Sequence, residues 1–138
     1  MSRYIQKQGC KNIYTPADKP FKIIVCGRPT PKGRPRLGVK GGKAFVYTPA
    51  ATKEYEEMVG WAAKSAGCRP VEGPVSVAIS VYVKGRLDAD NIAKSILDGL
   101  NGIAYEDDDQ VIELLVRKHK VTRKEEERVE IEVMEVTT

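Results

Sequence analysis

Residues 75–102 read VSVAISVYVKGRLDADNIAKSILDGLNG, and the hydrophobic period changes within them. From Val75 to Val83 the run is β-branched and alternating, the pattern of a strand with a buried face, and it ends at Lys84-Gly85-Arg86. Beyond that point the period becomes helical: Ile92, Ile96, Leu97 and Leu100 fall on one side of a wheel, while Asn91, Lys94 and Asp98 occupy an arc of roughly 60° on the other. A helix is therefore expected from near Asp90 or Asn91 to about Asn101, with Asn101-Gly102 as its terminator.

Upstream, FKIIVCG (Phe21 to Gly27) reads as a first strand stopped by Gly27 and Pro29. The prolines and glycines of RPTPKGRPRLGVKGGKAFVYTP forbid a helix, and the segment is expected to form a basic loop or irregular hairpin around Gly41-Gly42. Thr48-Pro49 is a helix start, with the Thr48 hydroxyl as the cap; the helix runs to about Gly67 with Tyr55, Met58, Val59, Ala62 and Ala66 as its apolar stripe. Downstream, Gln110 to Lys120 and Arg128 to Val136 read as strands joined by the charged turn Thr122 to Glu127, a closing antiparallel hairpin. The fold class is then α+β: residues 1–20 form an extension, and residues 21–138 form one domain, a mixed β-sheet with two main helices and a C-terminal β-hairpin.

The 138 residues suffice for one domain with an ordinary core, and 41% apolar with 30% charged residues is the balance of a soluble globular protein. No apolar run approaches the roughly 20 residues of a membrane span, and MSRYIQKQGCKNIY lacks the apolar core of a signal peptide, so a cytoplasmic protein is expected. Cys10, Cys26 and Cys68 are widely spaced and read as reduced thiols. The net charge of +4 is unevenly spread: Arg28, Lys32, Arg34, Arg36, Lys40 and Lys43 form a stretch without acids, whereas Asp88, Asp90, Asp98 and Glu106 to Asp109 concentrate the opposite sign. A polyanion is attracted by the first region and repelled by the second unless cations screen it.

Asp88 and Asp90 stand two apart at the mouth of the best strand, where extended backbone points both carboxylates the same way. If the strand after Glu106 to Asp109 neighbours Val75 to Val83, a third carboxylate arrives at the same end. Three carboxylates with few nitrogen or sulfur ligands make a hard oxygen site suited to Mg²⁺ or Mn²⁺. Lys94, one turn into the helix, would offset charge on a phosphoryl group beside that site. Plainer readings compete: Asp90 as a helix cap, Lys94 and Asp98 as a surface i,i+4 ion pair, Glu106 to Asp109 as a solvated turn. An EF-hand fails, because counting from Asp88 puts Ala93 where glycine is needed and Gly99 where glutamate is needed. His119 is the only histidine, which disfavours histidine-based metal hydrolysis, and no Walker or dinucleotide motif supports a nucleotide cofactor.

The stretch DADNIAKSILDGLNGIAYEDDDQVIEL, Asp88 to Leu114, resembles the signature of the RusA family of crossover-junction endodeoxyribonucleases: D-x-D-N, a lysine three residues on, an aspartate four further, then D-D-x-Q-V. Asp88, Asp90, Asn91, Lys94, Asp98, Asp107, Asp108, Gln110 and Val111 occupy matching positions, and GRPTPKGRPR with YTPAATKEYE is similar to the version common in bacteria and their phages. The basic lead-in before Asp88 is short, only Lys84 and Arg86. The resemblance implies a homodimeric Mg²⁺-dependent nuclease, of bacterial, phage or prophage origin, that cuts four-way DNA junctions by paired nicks in recombination and repair. It makes Asp88, Asp90 and Asp108 the metal-binding catalytic carboxylates and Lys94 the catalytic lysine, with Asn91, Asp98, Asp107 and Asp109 as supporting neighbours. Lys32, Arg34, Arg36, Lys43 and Arg86 are the expected DNA contacts. Two other readings of the same residues stand beside it: a protein that holds branched DNA without cutting, and a metal-dependent nuclease for flaps or another branched substrate.

Overall fold

The computed structural model describes residues 20–136, so the expected extension over residues 1–20, apart from Pro20, and its Cys10 lie outside the described residues. Eight elements follow one another: strands β1 (Phe21–Cys26), β2 (Arg36–Lys40) and β3 (Lys43–Tyr47), helix α1 (Ala50–Ser65), strand β4 (Val75–Val83), helix α2 (Ala89–Leu100), and strands β5 (Val111–Lys120) and β6 (Arg128–Glu135). The four-stranded sheet has the order β1-β6-β4-β5, and β2 and β3 form a separate two-stranded sheet. This is the expected α+β plan with a mixed sheet and two main helices. No helix among the described residues is long and apolar enough to cross a membrane.

The alternation of β4 decides the layering. Val75, Val77, Ile79, Val81 and Val83 are all fully or almost fully buried, and with Ile23, Val25, Val129, Ile131 and Val133 they make one apolar face. Both helices lie on that face, contributing Tyr55, Val59 and Ala63 from α1 and Ile92, Ile96 and Leu100 from α2. The other face is only half-covered; there Tyr82 stacks on His119 at 4.5 Å between ring centroids, and the Arg128 guanidinium lies 3.9 Å from the Tyr82 ring.

Two expectations about pairing are corrected. β5 and β6 do follow one another in opposite directions, but β4 lies between them: β5 pairs parallel with β4, and β6 pairs antiparallel with both β4 and β1. Burial explains the choice, since β4 is the most apolar strand and takes a central position, while β5, with Ile112, Leu114 and Leu115 exposed, is left at the edge. Second, parallel pairing sets Val75 beside Val111 and Val83 beside Lys120. The acidic turn before β5 therefore lies at the start of β4, whereas Asp88 follows the end of β4.

Smaller differences concern α1. Its N-cap is Pro49 rather than Thr48, and no side chain caps it. Its buried stripe is Thr52, Tyr55, Val59, Gly60 and Ala63, while Met58 and Ala66 are exposed. The stripe is rotated because α1 must face α2 as well as the sheet, and it does so through its glycine. A methyl group on Gly60 would lie 2.8 Å from Ile103 Cδ1, and one on Gly99 of α2 would lie 2.8 Å from the Glu56 carbonyl oxygen and 2.9 Å from Val59 Cβ. The β2–β3 hairpin turns at Gly41-Gly42, both at positive φ, as their sequence predicted.

Gly99→Ala tests this close approach. Overpacking against backbone costs about 1–3 kcal/mol, and the better helix propensity of alanine offsets about 1 kcal/mol of it. The expected result is a lower urea midpoint with an unchanged m value.

Candidate active site

The segment between β4 and α2 is tied down before it reaches the first carboxylate. Arg28 donates from Nη1 to the Lys84 carbonyl at 2.7 Å and to Glu127 Oε2 at 2.7 Å, and from Nη2 to the Arg86 carbonyl at 3.3 Å. Glu127 is buried, and the Lys84 amide, followed by the Arg28 guanidinium, holds its carboxyl below the usual range. Lys118 of β5 donates to the Leu87 carbonyl at 2.6 Å. Asp88 is thereby fixed as the N-cap of α2, on a cleft of about 450 Å³ lined by Pro31, Arg86, Leu87, Asp88 and Lys118. Its Oδ2 accepts from Asn91 Nδ2 at 3.3 Å, and Asp90 Oδ1 accepts from the Asn91 amide at 3.0 Å. Asp90 is thus the second residue of the helix rather than its cap.

The D-D-x-Q-V element builds the second acidic position. Asp107 caps a single 3-10 turn, Asp108–Gln110, by accepting from the Asp108 amide at 2.9 Å. Gln110 Oε1 accepts from the amides of Glu106 and Asp107 at 2.8 and 3.0 Å, and its Nε2 donates to the carbonyls of Val71 and Gly73, each at 2.7 Å. One glutamine thus clamps the acidic turn to the segment leading into β4. Asp108 projects from the turn toward α2, and Asp109 is exposed.

A row of ion pairs runs from the second position across the polar face of α2. Lys94 Nζ lies 3.3 Å from Asp108 Oδ2 and 3.1 Å from Asp98 Oδ1, and Lys32 Nζ lies 2.9 Å from Asp98 Oδ2 and 2.7 Å from Glu56 Oε2. Charges alternate along the row Glu56, Lys32, Asp98, Lys94, Asp108. Hydrogen bonding to Asp98, against a smaller effect of burial and with help from Asp108, raises the Lys94 pKa. Burial opposes the charge on Asp98 and on Lys32, but their ion pairs outweigh it, so Asp98 is lowered and Lys32 raised. The Lys94–Asp98 pair expected from i,i+4 spacing is therefore present, as one link in a longer row.

The expected DNA contacts divide. Arg34, Arg36 and Lys43 are exposed on or beside the β2–β3 hairpin, where Leu37, Val39 and Phe45 are exposed as well, and Arg86 is exposed beside Asp88. Lys32, by contrast, is held by two carboxylates, and its main-chain amide donates to the Asn91 carbonyl at 2.8 Å. Sequence reading missed this engagement, and missed the pairing of Glu56 with Lys32 and of Arg28 with Glu127, because pairs 24, 66 and 99 positions apart leave no local spacing signal.

A hard divalent cation suits carboxylate donors such as Asp88, Asp90 and Asp108. Asp88 and Lys94 are six residues apart, about 9 Å along the helix axis, and Asp108 is engaged at Lys94. Among the described residues, no three carboxylate, imidazole or thiol side chains are gathered closely enough to hold a metal ion. The two acidic segments lie at separate points of one helix face and do not form a closed ligand set.

A family model described as Endodeoxyribonuclease RusA matches residues 27–134. The chain is also 34% identical to the uncharacterized protein YqaN of Bacillus subtilis (strain 168), over 85% of this chain and 97% of that protein. The matched residues include both acidic segments, the polar face of α2 and the basic hairpin, and the chain belongs to the RusA family of endodeoxyribonucleases, nucleases that resolve Holliday junctions.

Proposed function

We propose that this chain is a Mg²⁺-dependent crossover-junction endonuclease that resolves four-way DNA by paired nicks in recombination and repair. The observation that carries the reading is the single polar face of α2, on which Asn91 bonds Asp88 and, further along, Lys94 bonds Asp108. Asp88 and Asp90 would hold Mg²⁺, with Mn²⁺ as a substitute, and Asp108, which stands apart from them at Lys94, is the third carboxylate that the family signature assigns to the ion. When bound, the ion supplies an activated water and charge neutralisation at the scissile phosphate. Lys94 presents a fixed positive charge to the phosphate; its side chain is 53% exposed, so it is open to a bound strand while Asp98 anchors it. Asn91 orients Asp88, and Asp107 with Gln110 orients Asp108.

The β2–β3 hairpin supplies sequence-independent grip. Arg34, Arg36 and Lys43 have no acidic partner among the described ion pairs and are free for phosphates. A four-way junction has two-fold symmetry, and a homodimer would present one site to each of two opposed strands. The edge of β5, unpaired among the described residues, supports self-association: Glu113 and Arg117 stand two residues either side of exposed Leu115, so an antiparallel second copy centred there would pair each with its opposite.

Cleavage of four-way, flap and linear DNA in Mg²⁺ should show clear preference for the junction, and none should be cut when the metal is chelated. Asp90→Asn and Asp108→Asn are each expected to lower kcat by about 100-fold or more while junction binding persists. Undiminished cutting by Asp90→Asn would remove the proposed site. The double variant Arg36→Ala with Lys43→Ala should bind junctions more weakly and lose about 2 from the slope of log K against log salt, roughly 1 for each phosphate contact. Sedimentation velocity should give a dimer for the wild type.

A further inference from the structure

We infer that Lys32 is a positioning residue, which holds Asp98 so that Lys94 stays directed at Asp108, and that Glu56 in turn fixes Lys32. The inference deepens the reading of Lys94 and Asp108 as the reacting site and rests on it. Its basis is how the Asp98 carboxylate is divided: Oδ2 is taken by Lys32 at 2.9 Å and Oδ1 by Lys94 at 3.1 Å, so neither oxygen is free to turn. Lys32, Glu56 and Asp98 have side chains 22%, 21% and 17% exposed, against 53% for Lys94. The screened end of the row is the anchor, and the open end is the working group.

The main chain around Lys32 is anchored as firmly as its side chain. Its amide bonds the Asn91 carbonyl, the Gly33 amide donates to Thr52 Oγ1 at 3.1 Å, and Ser95 Oγ donates to the Thr30 carbonyl at 2.8 Å. The loop is stitched to both helices, and the ammonium is already neutralised by two carboxylates. It therefore has little charge left for a phosphate, unlike Arg36 and Lys43 on the hairpin. Without Lys32, Glu56 and Asp98 would face each other with Lys94 as the one cation of the row. Lys94 would be drawn toward α1 and away from Asp108, slowing the reaction without loosening the grip on DNA.

Lys32→Met keeps the aliphatic stem and removes the charge. The expected result is a fall in kcat on four-way DNA of about tenfold, the effect of removing a group that orients a site residue, with junction Kd and its salt slope unchanged. Lys32→Arg, able to bridge both carboxylates, should restore most of kcat. In the isolated protein without DNA or metal, the ¹⁵N resonance of the Lys94 ammonium should shift and broaden in Lys32→Met. Glu56→Gln, which preserves size, should give the same split between kcat and Kd if Lys32→Met folds poorly. A salt slope reduced by about 1 with kcat intact would make Lys32 a phosphate contact and overturn the inference, as would an unmoved Lys94 resonance. A wild type that cuts no junction, with the resonance still moving, would refute the nuclease reading and leave the positioning contact standing.

Discussion

Parallel pairing of β4 with β5 is the constraint from which the rest of the molecule follows. Two parallel neighbours cannot be joined by a tight turn, so the chain must travel back along the sheet before starting the second strand, and α2 makes that journey. A crossover helix lies over a sheet, and it can bury only one side. Ile92, Ile96 and Leu100 meet the strands, and Asn91, Lys94 and Asp98 are left on the other side. The acidic residues before the helix and those after it are then separated by the length of the crossover, with its polar face between them.

The ion pairs on that face depend on how near α1 comes. At Gly99 there is no side chain to hold the helices apart, and the Glu56 carbonyl occupies the space where a methyl group would stand. Glu56 and Asp98 are consequently brought close enough for one lysine to bridge both. Two carboxylates at such range repel unless a cation lies between them, and Lys32, arriving on a loop bonded to both helices, is that cation. The packing of two glycine-bearing helices and the electrostatics of the site are thus one arrangement seen at two scales.

Much of this was legible in the sequence, for reasons of period. β4 occupies the run its alternation predicted, Val75 to Val83; α2 and the Gly41-Gly42 turn lie where local chemistry placed them, and the basic stretch does form a hairpin. Pairing was not legible. Residues 110 to 136 look like a hairpin because two strands flank a charged turn, yet which strands bond is decided by which face and edge must be buried, and the most apolar strand claimed the place between them. The same competition rotated α1, exposing Met58 and burying Thr52, whose hydroxyl accepts from the Gly33 amide. The candidate site was legible as a list of residues, but its wiring was not. Asp88, Lys94, Asp98 and Asp108 sit on one helix face or reach it, whereas Arg28 and Lys32 looked from their neighbours like two more cations for a polyanion.

Those two residues show what a charge run conceals. Arg28, Lys32, Arg36 and Lys43 are chemically alike at the level of composition, and each would raise the local potential equally in an unfolded chain. Folding sorts them by the partners it supplies. Arg28 meets a buried glutamate and two carbonyls, so it serves to hold the loop before Asp88. Lys32 meets two carboxylates. Arg36 and Lys43 are carried outward on a two-stranded sheet, and of these four they alone have no acidic partner among the described residues. One basic segment can therefore bind carboxylates through a loop that is held by the helices and still present exposed charge on a hairpin beyond it.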